Sequence, residues 1–171
     1  MRSALLVLGA QRNMLEGDGA VPTAVTVRAA LDRLLVAARA AGAAVVHVQN
    51  DGPRGYPDEP GTPGWELAVT PADGEIVLRK DVSDAFAANP DLAPRLRGEG
   101  VTTVVVAGMQ SDFCVRATSR SALQAGFSVV LASGAHATHD DDASAAVLAR
   151  EVEEELAADG VAVVAANDVT F

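Results

Sequence analysis

The sequence predicts an α/β protein built on a parallel sheet covered on both faces. Three observations carry that expectation. Short apolar runs alternate with amphipathic helical stretches along the whole chain. The runs are continuously hydrophobic, as strands buried on both faces must be. Glycine or proline stands at most of the boundaries between them.

The elements follow in order. Residues 3–8 (SALLVL) read as a first buried strand stopped by Gly9. A polar, glycine-containing stretch at 11–19 leads to a helix over 23–41, with Pro22 ahead of it and Gly42 at the stop position. Its apolar stripe is Val27, Leu31, Leu34, Leu35 and Ala38, at three- and four-residue spacing. Residues 43–49 form a second strand, followed by a long Pro- and Gly-rich loop over 50–64 of the kind used as lids or binding segments. A short strand at 75–78 leads to Lys80, and a helix over 92–98 precedes the strongest strand, 101–107, which Gly108 is expected to end. A helix opening at Ser111 or Asp112, either of which supplies an N-cap oxygen, is expected to run to Ala125. A strand at 127–132, a helix over 141–158 and a last strand at 161–165 complete the chain, with no linker or repeat.

Composition limits the function. The 171 residues suit one domain, 1–171, and 49% hydrophobic against 21% charged residues suits a globular one. A net charge of -10 argues against nucleic acid and against an anionic membrane surface as partners, and is silent on small-molecule substrates. A single cysteine forms no internal disulfide, and the apolar start is too short for a signal peptide or a membrane span, so a cytoplasmic location is expected. Of 13 basic residues, one is lysine, Lys80. A lone lysine among arginines suggests a task that needs an ammionium able to release a proton, or else chance retention on the surface.

Ligands of open parallel sheets bind beyond the carboxyl ends of the strands. Gly9 to Gln11, Lys80 and Cys114 all fall at such ends. Cys114 lies in the first turn of its predicted helix, where the helix dipole and free N–H groups favour a thiolate and can donate to an oxyanion. A lone cysteine also serves as a small buried hydrophobe. Trp65 and Phe86 are candidates either for pocket walls or for plain packing.

The segment 104–118 (VVVAGMQSDFCVRAT) with 121–127 (SALQAGF) resembles the nucleophile segment of the isochorismatase-like cysteine hydrolases, relatives of nicotinamidases and N-carbamoylsarcosine amidases. Residues 60–67 (PGTPGWEL), 80–86 and 135–138 (AHAT) resemble further segments of that family in the same order. The resemblance implies a Rossmann-like three-layer α/β/α fold with a six-stranded parallel sheet. It also implies a catalytic Asp–Lys–Cys set, of which Lys80 and Cys114 are present. A cis peptide joining Met109 and Gln110 and an oxyanion hole beside it are implied too. Gly9, Gln11, Trp65, Phe86 and Phe113 fall at its pocket positions, and a homo-oligomer, dimer or tetramer, is the expected assembly.

Two positions depart from the family pattern. Where the family carries the aspartate at the end of strand one, this sequence has Gly9, and an Asp-Ala pair after the fifth strand is Gly134-Ala135. Loss of a general base costs a factor of about 10² to 10⁴ in rate. Asp112, Asn13 or a water beside Gly9 are the available substitutes. The Asp-x-His spacing of a metal site is absent from 47–51 (HVQND), and His47, His136 and His139 are scattered, so no metal or cofactor is expected. His47 reads as a satisfied core histidine and 139–142 (HDDD) as a solvated helix start. Three readings stay open: a hydrolase cleaving a C–N bond of a small amide, lactam or carbamoyl compound through Cys114; a relative that binds a small molecule or a partner protein without turnover; and an enzyme that performs a different covalent step in a biosynthetic pathway.

Overall fold

A computed structural model describes residues 2–171. Six strands are present: β1 (Arg2–Leu8), β2 (Ala44–Asn50), β3 (Ile76–Lys80), β4 (Val101–Met109), β5 (Ser128–Ala137) and β6 (Ala162–Ala165). They form one sheet in the order β3-β2-β1-β4-β5-β6, every pair parallel. The helices are α1 (Arg12–Leu15), α2 (Ala24–Ala40), α3 (Ala85–Ala88), α4 (Leu92–Gly98), α5 (Arg116–Gln124) and α6 (Ala145–Asp159).

Period-two alternation of side chains divides the core into two layers. Ala4, Leu6, Leu8, Val104 and Val106 face one side, where Leu92 and Leu96 of α4, Ala122 of α5 and Val152 and Leu156 of α6 cover them. Leu5, Val7, Val105 and Ala107 face the other, against the Val27, Leu31, Leu34, Leu35 and Ala38 stripe of α2. Each fully buried leucine of these layers contributes about 2 kcal/mol of hydrophobic stabilisation. The three-layer α/β/α fold with six parallel strands is therefore observed. Among the described residues no helix is long and apolar enough to cross a membrane.

Several boundaries differ from expectation. β4 does not end at Gly108 but continues to Met109. Gly108 has φ +115°, and a Cβ there would lie 2.0 Å from the Leu8 carbonyl oxygen, so this glycine permits a close approach of β1 rather than a stop. β5 likewise runs on to Ala137, with a bulge: Val106 pairs with Leu131, yet Gly108 pairs with His136. The bulge carries residues 136–138 to the end of the sheet where β4 turns. α6 starts after Ser144, whose Oγ accepts from Val147 N, and not at Asp141. Asp140 instead accepts from Ala145 N at 2.7 Å, so the acidic run precedes the helix. α1 and α3, four residues each, are too short to show a period in sequence.

Candidate active site

The order of strands reverses between β1 and β4, and the carboxyl ends of those strands open into a cavity of about 1050 Å³. At the end of β4 the Met109–Gln110 peptide is cis. The chain then makes one wide turn of π-helical form, Ser111–Val115, before α5 begins. Neither predicted cap is used there. Ser111 Oγ pairs with His136 Nδ1 at 2.8 Å, and Asp112 Oδ1 accepts from Thr138 Oγ1 at 2.6 Å. Ser111 is spent on β5 and Asp112 on the residue just past it, so the turn is pinned to the bulged end of that strand.

Cys114, in this turn, is half-buried and lines the cavity. Lys80, the last residue of β3, is buried beneath it. Its Nζ donates to Cys114 Sγ at 2.9 Å, to Asn50 Oδ1 at 2.8 Å and to the Val82 carbonyl at 3.1 Å. An ammonium has three N–H donors, and here each has an acceptor, which offsets the cost of burying the charge. Asn50 ends β2 and pairs with Lys80 in the sheet register. Its Nδ2 donates to Asp58 Oδ2 at 2.7 Å. Neither Asn50 nor Asp58 was among the sequence candidates. Asn50 stands at a strand's carboxyl end, a signal that would have found it, whereas Asp58 sits in the long loop and carries no such mark.

Gln11 is buried and stitches the floor together. Its Oε1 accepts from Asn50 N at 2.7 Å, and its Nε2 donates to the carbonyls of Asn50 and Trp65. Gly9 has φ +54°, donates its N–H to the Val48 carbonyl, and borders the cavity. A Cβ built on it would lie 2.9 Å from the Met109 carbonyl oxygen. Position 9 therefore carries no proton acceptor and offers little room for one. Asp112, held by Thr138, lies outside the cavity lining. Asn13 does line the cavity.

Two of the expected pocket residues belong to packing. Phe86 is buried on the helical layer and stacks on Phe127, with ring centroids 6.2 Å apart. Trp65 is not among the cavity-lining residues; its Nε1 donates to Asp51 Oδ1 at 2.8 Å with the Arg79 guanidinium over its ring. The exposed aromatic groups that do line the cavity are Phe113 and Tyr56, the latter unanticipated.

The donor set at the end of β2 does not fit a metal ion. His47 is fully buried, with Nε2 2.8 Å from Glu75 and Nδ1 without a hydrogen-bond partner, so it is a core histidine only half satisfied. Asp51 is engaged by Trp65 and Arg79. His136 lies between Ser111 and Glu153, and among the described residues no three His, Cys, Asp or Glu side chains converge. Glu75 has a structural task instead. The Arg39 guanidinium, first, then the Ala72 N–H and His47, hold its carboxyl down at about 2 against the burial that opposes it. That cluster ties α2 and β2 to the start of β3, the strand that delivers Lys80.

The isochorismatase domain model matches residues 3–166 of this chain. The chain belongs to the isochorismatase family. Within that family it is 50% identical over 139 residues to a streptothricin hydrolase of Streptomyces noursei, an alignment covering 80% of this chain and 55% of that protein. The chain thus spans about half the length of the curated relatives it matches. An isochorismatase of Pseudomonas putida superposes with a TM-score of 0.89 at 27% identity, covering 98% of this chain and 90% of that one. The N-carbamoylsarcosine amidase of Thermoplasma acidophilum shares the fold, with a TM-score of 0.84 at 24% identity and 99% of both chains covered.

Proposed function

We propose that this isochorismatase-family protein is an amidohydrolase that cleaves a C–N bond of a small amide, lactam or carbamoyl compound through a thioester on Cys114. The observation that carries this reading is the 2.9 Å contact between Cys114 Sγ and the buried Lys80 ammonium at the base of an open cavity. A cation held against sulfur favours the thiolate, the nucleophilic form. The thiolate attacks the carbonyl carbon and forms a C–S bond, while backbone N–H groups of the 110–114 turn donate to the oxyanion. The C–N bond then breaks, and the departing nitrogen takes a proton from Lys80. Water attacks the thioester, its proton returning to Lys80, and the C–S bond breaks to release the acid.

In this reading the lysine does the proton work that a β1 carboxylate does elsewhere in the family, because Gly9 has no side chain to do it. Relatives named for amide and streptothricin hydrolysis agree with C–N chemistry. The test is turnover of a panel of primary amides, lactams and N-carbamoyl compounds by wild type and Cys114→Ser. Intact-mass detection of a Cys114 adduct accompanies it. The expected result is an adduct on wild type and turnover lowered at least about 10³-fold in the variant. Equal turnover by the two proteins would rule the reading out. Tight binding without turnover would favour a pocket that holds its ligand unchanged.

A further inference from the structure

Lys80 is held by more than the thiol. Its three hydrogen bonds go to a sulfur, an amide oxygen and a backbone carbonyl, and none goes to a carboxylate. Behind the amide, however, stands one. Asn50 Oδ1 accepts from Lys80 at 2.8 Å while Nδ2 donates to Asp58 Oδ2 at 2.7 Å. An ammonium only donates and a carboxylate only accepts, so an amide between them has a single satisfactory orientation. The Asn50 main chain is fixed as well, its N–H and C=O both taken by Gln11. Asp58 is fitted over Gly52, where an added Cβ would lie 1.9 Å from Asp58 Oδ1, and Gly52 N donates to the Asp58 carbonyl at 2.8 Å.

We infer that Asp58, acting through Asn50, is the positioning residue that orients Lys80 against Cys114 in place of the carboxylate that Gly9 lacks. The counter-charge comes from the loop after β2 instead of the end of β1. No proton crosses the amide and no bond is made or broken in this arm; it fixes where the ammonium sits. The inference rests on Cys114 being the reactive group, as proposed above.

The test is the rate of iodoacetamide alkylation of Cys114 in the full chain, followed between about pH 5 and pH 10, with kcat and KM measured beside it. Asp58→Ala is expected to slow alkylation near neutral pH by about tenfold and to lower kcat with KM unchanged, because Lys80 is freed to turn from the sulfur. Gly52→Ala is expected to reproduce this, since its methyl displaces the Asp58 carboxylate without deleting it. The exchange Asn50→Asp with Asp58→Asn keeps every donor opposite an acceptor. It is expected to return alkylation to within about threefold of wild type.

Faster alkylation in Asp58→Ala would overturn the inference, because a carboxylate acting on the thiolate by charge alone repels it. An unchanged rate in both Asp58→Ala and Gly52→Ala would overturn it too, as would an exchange no better than Asp58→Ala. A rise in KM with alkylation unaltered would make Asp58 a substrate contact instead. Should Cys114→Ser turn over like wild type, the covalent reaction fails. The alkylation profiles, which need no substrate, still decide the arm.

Discussion

Placing an aspartate at position 9 is the natural experiment from sequence, and the structure predicts that it damages the protein. Gly9 has φ +54°, where an L-residue without a polar side chain costs about 1–2 kcal/mol. The added Cβ also meets the Met109 carbonyl oxygen at 2.9 Å, closer than side-chain carbons settle, and relieving that contact costs about 1–2 kcal/mol more. Gly9→Ala should therefore lose about 2–4 kcal/mol, a fall in Tm of roughly 4–16 °C for a chain of this size. Gly9→Asn separates the two contributions, because asparagine tolerates the left-handed region while keeping the same Cβ. It should recover about 1 kcal/mol of the loss. Gly9→Asp should follow Gly9→Asn in stability and gain no turnover. Urea and thermal denaturation measure these differences. Gly9→Ala within about 0.5 kcal/mol of wild type would refute the backbone argument, since that is the range of an ordinary surface substitution.

Three further outcomes follow from the packing. Lys80→Met should destabilise by about 1–3 kcal/mol by leaving Asn50 Oδ1 and the Val82 carbonyl without a donor, and should slow Cys114 alkylation; denaturation and mass spectrometry read both. Trp65→Phe should cost about 1 kcal/mol through the lost bond to Asp51 and leave KM unchanged, whereas a large rise in KM would restore Trp65 to the pocket. Glu75, held at about 2 from an ordinary 4.5, stabilises the fold fully above its unfolded value and loses that contribution as pH falls towards 2. With solvent screening of the partly exposed Arg39, the contribution is about 2 kcal/mol. Wild type should accordingly exceed Glu75→Gln in urea stability near neutral pH and converge with it near pH 2.

What was legible in the sequence is what local pattern encodes. The buried strands and the α2 stripe announce themselves by hydrophobic periodicity, and Lys80 and Cys114 by strand ends together with a segment resembling a known family. The misplaced residues share a cause. Ser111 and Asp112 look like helix caps to their neighbours in sequence, but the β5 bulge brings His136 and Thr138 to their side chains. Gly108 looks like a strand stop because its role is set by the backbone of β1, 100 residues away in the chain. Asp58 is silent for the same reason: only the folded loop sets it beside Asn50. Aromatic character alone likewise did not distinguish Phe113, on the cavity, from Phe86, in the core.

Lys80 belongs to β3, an edge strand, while Cys114 follows β4, with β2 and β1 between them in the sheet. This contact is thus assembled across four strands, and one member rides on the border most open to fraying, where Val77 already faces solvent. A brief detachment of β3 would withdraw the ammonium from the sulfur while the rest of the sheet stayed intact. The chemical temper of this thiol is then a gauge of edge integrity: as denaturant rises, Cys114 should go quiet before the core opens.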